Sequence, residues 1–134
     1  MLGIAGRLAD GTVTWMTGPA TLGSHIVPTL TRAAAEAERP APRVVCALPV
    51  SVTDDPDDAR AAAADRFKMY GFLPSYKAML DREGAAGPAE VAIVGNAATV
   101  RAGVEQLFEQ GATEFVAVPY RHRDATLEVL AGLL

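Results

Sequence analysis

The segment RVVCALPVSVT (43–53) is almost unbroken in apolar residues, with valines at 44, 45, 50 and 52. A strand with one wet face alternates apolar and polar side chains. A strand lacking that alternation suits a parallel sheet covered on both faces. This requirement constrains the chain more than any other, because the fold must supply two layers of cover for one run. Pro49 sits inside the run, and a proline there predicts weakened pairing or a bulge.

Two other segments have a similar character. TVTWMT (12–17) is short, β-branched and aromatic, and Gly18-Pro19 ends it. TEFVAVPY (113–120) reads as the last strand, and EVAIVG (90–95) as a short strand or extended turn. Between them the spacing predicts helices. Residues 1–9 form one, with Gly11 just past its end. Residues 21–39 form another, with Leu22, Ile26, Leu30, Ala33, Ala34 and Ala37 near one face. Pro28 within it predicts a kink or a first turn restarting there.

ERPAPR (38–43) is a loop. DDPDDARAAAADRF (54–67) opens with a cap at Thr53 or Asp54, an early Pro56 and acids in the first turn, and its helix should run to about Tyr70. A short helix follows over 75–84, and EGAAGP (83–88) reads as a flexible loop. Asn96 is placed to cap a helix over 97–110. The closing helix, 122–134, offers Leu127, Val129, Leu130 and Leu133 as apolar contacts. Strands alternating with helices predict an α/β fold with a parallel sheet and right-handed crossovers.

A chain of 134 residues fits one domain, and with half its residues hydrophobic it can build a core. The net charge of −4 argues against nucleic acid, which is bound by clustered Lys and Arg. No apolar stretch reaches the roughly 18–20 residues of a membrane span, and no secretory leader is evident. The single cysteine, Cys46, excludes an intrachain disulfide and reads as a small buried hydrophobe rather than a reactive thiol. Together these features predict a soluble, cytoplasmic protein.

Few motifs carry chemistry by themselves. IVGNAATV places a glycine at a helix entrance but lacks GxGxxG and a Lys-Ser/Thr pair, so an ordinary cap at Asn96 is the better reading. His25 has no partner at metal-ligand spacing, and DDPDD (54–58) lacks the EF-hand pattern, so no metal is expected. No Ser-His-Asp or Cys-His arrangement emerges.

Three segments together carry a family likeness. RLADGTVTWMTGPATL, PRVVCALPVSVTDDPDDARAAAA and VAIVGNAATVRAGVEQLFEQGATEFVAVPY occur in that order through nearly the whole chain. They resemble the later strand and helix units of luciferase-like flavin and deazaflavin oxidoreductases, and the deazaflavin-dependent branch above all. The resemblance implies a (β/α)8 barrel, which needs about 250 residues. It assigns this chain the carboxyl-terminal part, roughly strands six to eight, with another strand preceding the helix at 1–9.

The same resemblance implies a deazaflavin coenzyme (factor 420), with FMN as the alternative, and a small organic substrate. Barrel active sites lie at the carboxyl ends of the strands. Trp15 and Met16 would then line the pocket, and Thr17 and Gly18 would offer a hydroxyl and a close backbone approach. Tyr120 and Arg121 would meet the coenzyme, the arginine through a phosphate or acidic tail. The alternatives are that Trp15 packs between sheet and helix, and that Tyr120-Arg121-His122-Arg123 is a solvated turn. Either a missing barrel half or a second copy is expected at the open sheet, with the helices at 75–84 and 97–110 as possible covers. A non-catalytic α/β module that self-associates, and an unrelated small doubly wound nucleotide-binding domain, stand as the competing readings.

Overall fold

The structure is a computed structural model and describes residues 1–133. Helix α1 (Leu2–Leu8) leads into strand β1 (Gly11–Trp15). A helical run follows: α2 (Pro19–Thr21), a π-helical turn over Leu22–Ile26, and α3 (Val27–Glu36). Pro28 lies in the first turn of α3, where its missing N–H costs nothing, and the π turn ahead of it absorbs the break in the ladder. Strand β2 spans Arg43–Val52. Helix α4 (Pro56–Arg66) stops earlier than the sequence implies, and a 3-10 turn, Lys68–Gly71, carries the chain past Tyr70. Helix α5 (Pro74–Glu83) ends on Gly84 at φ 78°, a left-handed cap that glycine adopts without strain. Residues 83–88 are not loop throughout, because Pro88 opens a short helix, α6 (Pro88–Val91). Strand β3 (Ile93–Gly95), helix α7 (Ala97–Glu109), strand β4 (Glu114–Pro119) and helix α8 (Arg123–Ala131) complete the order.

All strand pairs are parallel, and β2 is the centre of the sheet. The Arg43 N–H donates to the Asp10 carbonyl, and the Thr53 N–H to that of Gly95. The odd residues of β2 therefore face the edge held first by β1 and then by β3. The carbonyls of Val44 and Val50 accept from Thr113 and Tyr120, so the even residues face β4. This parity explains Pro49, which produces no bulge in the ten-residue strand. β1 pairs as far as Ala47 and β3 begins at Val50. The missing N–H of Pro49 falls in the gap between the two neighbours, on the one stretch of that edge where no strand pairs.

The two faces of the sheet differ. On one, Val44, Cys46, Leu48 and Val50 are buried with Leu22, Ile26, Leu30 and Leu107 of the helices. Helix α7 lies on this face, close enough that Gly103 admits the Ile93 side chain, while a Cβ there would come within 2.8 Å of it. Register puts Val13, Trp15, Val45, Ala47, Pro49, Ser51, Val116, Val118 and Tyr120 on the other face. At its carboxyl half, Ala47, Pro49 and Ser51 are buried. At its amino half, Val13 and Val116 are 69% and 47% exposed. The cover that does exist comes from the 3-10 turn region and Tyr76 of α5. The helix at 97–109 covers the opposite face instead.

Threonines finish the ladder on the β4 side of β2. Thr113 Oγ1 accepts from the Val44 N–H at 2.9 Å, below the point where β4 begins. Thr126 Oγ1 accepts from the Val52 N–H at 2.9 Å and donates to the His122 carbonyl, beyond the point where β4 ends. Thr126, not Leu127, is the buried residue of α8; Leu127 is 40% exposed. Thr126→Val keeps the shape but strands a buried N–H. It should lower stability by about 1–3 kcal/mol, while Thr126→Ser stays near the parent. Urea midpoints of the two variants check this.

Candidate functional site

The carboxyl ends of β1, β2 and β4 meet on the half-open face. β1 leaves the sheet at Trp15, because the next rung would join the Met16 carbonyl to residue 49, a proline with no N–H. Met16 turns away with φ 57°, a left-handed conformation that non-glycine residues adopt at a cost. The turn is held from below and within. The Cys46 thiol donates to the Thr17 carbonyl at 3.8 Å, and Thr17 Oγ1 donates to the Trp15 carbonyl at 3.5 Å. Burial pushes the Cys46 thiol pKa up, as befits a packed residue rather than a thiolate. Met16, Thr17 and Gly18 are all buried.

Gly18 caps the following helix without a side chain, and α5 supplies the missing oxygens. The Glu83 carboxylate accepts from the N–H groups of Ala20 at 3.1 Å and Thr21 at 2.6 Å. A Cβ on residue 18 would overlap this carboxylate, so the close backbone approach read from the sequence is used here by Glu83. A carboxylate at a helix start also meets the positive end of the helix dipole.

Trp15 and Tyr120 are brought together through a third ring. Phe67 packs edge-on against Trp15 at 5.9 Å and against Tyr120 at 5.6 Å between centroids. Tyr70 adds a T-shaped contact to Trp15 at 5.8 Å, and Tyr76 packs on Tyr70 at 4.9 Å. Such edge-to-face pairs fix ring orientation beyond simple burial. The Tyr120 hydroxyl donates to the Ala59 carbonyl at 2.8 Å. Burial raises its pKa, against the opposing pull of Arg60 and Arg121, so the phenol is neutral across the physiological range. The indole Nε1 of Trp15 is buried with no hydrogen-bond partner. An unspent buried donor is uncommon and marks a place where an acceptor fits.

Arg121 lies at the rim, paired with Asp58 at 2.7 Å, both partly exposed. A pair so wet contributes little to stability and exchanges partners readily. His122 is exposed with φ 47° and heads α8 beside an open recess of about 750 Å3 lined by Thr53, Asp54, Asp55 and Asn96. The acidic run serves the fold: Asp55 accepts from the Asp58 N–H as the cap of α4. Asn96 accepts from the Thr99 N–H at 2.9 Å, the ordinary cap its position suggests. Among the described residues, no cluster of three or more His, Cys, Asp or Glu is placed to hold a metal. Among the described residues, no helix is long and apolar enough to cross a membrane.

Phe67, Tyr70, Tyr76 and Glu83 were not legible as site residues. The signal available was aromatic spacing: Phe67 and Tyr70 lie three apart, with Tyr76 six further on. Nothing in the sequence says that this stretch folds back over the strand ends.

The model of the luciferase-like monooxygenase family matches residues 1–114. The chain belongs to that family. Two solved structures share its fold. One is a factor-420-dependent secondary alcohol dehydrogenase in complex with a coenzyme–acetone adduct, with a TM-score of 0.74 and 19% identity. It is matched over 99% of this chain and 44% of its own. The other is the factor-420-dependent tetrahydromethanopterin reductase from Methanopyrus kandleri, with a TM-score of 0.74 and 21% identity over 97% of this chain and 46% of its own. This luciferase-like chain therefore spans less than half the length of either, and its parallel sheet is part of a barrel. Among curated proteins none matches.

Proposed function

We propose that this luciferase-like chain forms the carboxyl-terminal wall of an oxidoreductase pocket that holds a deazaflavin coenzyme (factor 420), with FMN as the alternative. One observation carries the reading: an aromatic cluster stands at the carboxyl ends of the strands and includes a buried, unpartnered indole N–H. Family membership and two factor-420-dependent structural relatives support it. The residues present suit such a group. A flat ring system lies well against Trp15 and Tyr120, and its ring carbonyls are natural acceptors for the Trp15 N–H. When bound, the coenzyme supplies the hydride chemistry, and the protein supplies position and dryness.

Each residue then has a task. Phe67 holds Trp15 and Tyr120 at fixed angles and keeps water from the strand ends. Tyr120 is anchored to Ala59 and stays neutral, so it packs without adding charge beside the ring. Arg121 can leave Asp58 for an acidic group of the coenzyme, a pairing its planar fork favours. The Met16–Gly18 turn acts from behind, fixing where Trp15 points. The substrate is a small organic molecule, and further walls of the pocket come from strands this chain does not contain.

Titration with the oxidised deazaflavin and with FMN tests the reading. Trp15 is the sole tryptophan, so its fluorescence reports directly on the site. Binding should quench it and shift the coenzyme absorbance. Trp15→Phe, which keeps a ring and deletes the N–H, should weaken binding roughly threefold to tenfold, the loss of one hydrogen bond. If neither coenzyme perturbs tryptophan or absorbance, the pocket reading fails and a non-catalytic, self-associating module takes its place.

A further inference from the structure

We propose that Glu83 is a positioning residue: its carboxylate, at the end of α5, holds the chain from Met16 to Thr21 and so sets where the Trp15 N–H points. The consequence for the coenzyme rests on the pocket proposed above, but the contacts themselves lie wholly within this chain. The turn after Trp15 needs such a hold. Met16 sits at φ 57°, a conformation that costs energy and persists only where the neighbours over-determine it. The bonds inside the turn are long, 3.5 Å from Thr17 Oγ1 to the Trp15 carbonyl and 3.8 Å from the Cys46 thiol to the Thr17 carbonyl. Long bonds fix a direction poorly. The shorter ones come from Glu83, which accepts from the Thr21 N–H at 2.6 Å and the Ala20 N–H at 3.1 Å. Both are charge-assisted, and both satisfy donors that a helix start leaves free.

Helix α5 reaches Trp15 from two sides. Its Tyr76 packs on Tyr70, which packs on the Trp15 ring. Its Glu83 end, half-buried, binds the backbone just past the turn. The fully buried Thr21 hydroxyl donates to the Met79 carbonyl at 3.4 Å and ties α5 to the same helix start a turn earlier. A displacement of α5 therefore moves the rings on one side of the indole and the backbone on the other together.

Gly18 belongs to the same device. Its backbone, φ −79° and ψ 172°, is open to any residue, and the three atoms nearest a Cβ there all belong to Glu83. The carboxylate, not the turn, is what requires glycine at this position.

The sole tryptophan gives a single indole N–H resonance in the isotope-labelled chain, and it is read without coenzyme. Glu83→Gln keeps the size but turns an amide NH2 toward one backbone N–H. It should shift that resonance and speed its exchange with solvent about tenfold, with the far-ultraviolet circular dichroism of the parent. Asn96→Ala removes a cap of the same kind from α7 and should leave the resonance in place, which separates positioning from a general loss of stability. Gly18→Ala should act like Glu83→Gln in the parent and be nearly silent when added to Glu83→Ala, where the colliding carboxylate is gone. That pair keeps the test readable if Glu83→Gln folds poorly. With the oxidised deazaflavin or FMN, Glu83→Gln should weaken binding about threefold to tenfold. A resonance that ignores Glu83→Gln, or that Asn96→Ala moves equally, overturns the inference. So does a Gly18→Ala effect that persists without Glu83, or coenzyme binding by Glu83→Gln equal to the parent's. If the resonance responds as expected and neither coenzyme binds the parent, the pocket fails and the positioning of Trp15 by Glu83 stands.

Discussion

Leu48→Ala is expected to cost about 2–5 kcal/mol and to move the urea midpoint sharply down with little change in slope. Leu48 is 1% exposed at the centre of β2, which pairs with each of the three other described strands. Its side chain stands on the helix-covered face, where it lines one recess with Ile93 and Leu107. Three of its carbons leave water completely on folding, and their removal adds a void that the sheet cannot close. The neighbours are held by ladder bonds on both sides of β2, so collapse into the space would break pairing. Leu48→Met conserves volume and should cost less than about 1.5 kcal/mol. Equal losses from the two substitutions would mean that packing on this face is loose, contrary to the structure.

Gly6→Val should be comparably damaging for the opposite reason. Gly6 is the buried residue of α1 and lets that helix approach α3. A Cβ there would lie 2.6 Å from the Leu30 carbonyl oxygen and 2.7 Å from the Ala33 Cβ. Neither is the end of a flexible side chain, so the helices themselves must separate. Overpacking of this kind costs about 1–3 kcal/mol, and the larger valine branch puts the expected loss at the upper end. Because α1 leads directly into β1, the damage should spread to the edge strand. Hydrogen exchange along residues 11–15 would then accelerate more than exchange in β4. A variant that keeps parent stability and protection would show that α1 does not rest where the structure has it.

Much of this architecture follows from particular residues read in order. The apolar run at 43–53 demanded cover on both faces, and β2 is indeed the central, parallel strand. Asn96 and the acids at 54–58 announced helix starts through local bonds that span three residues, which is why they are readable. The family likeness rested on the resemblance of three segments in order, and the match to residues 1–114 agrees with it. Pro49 announced weakened pairing, which is found as a gap between β1 and β3 on one edge of β2, but not the bulge that was the alternative. Leu127 misled, because periodicity cannot tell that Thr126 is wanted to complete a ladder.

The chain's own residues determined the element order, the parallel sheet and the need for two covering layers. Those follow from side-chain period and from backbone donors that act within a few residues. Tertiary structure alone decided that Phe67 joins Trp15 to Tyr120, and that Glu83 caps a helix sixty residues away. It alone decided that half of one sheet face stays bare. Each is a meeting of groups distant in sequence, fixed by how twisted layers close on one another, and no local spacing encodes it.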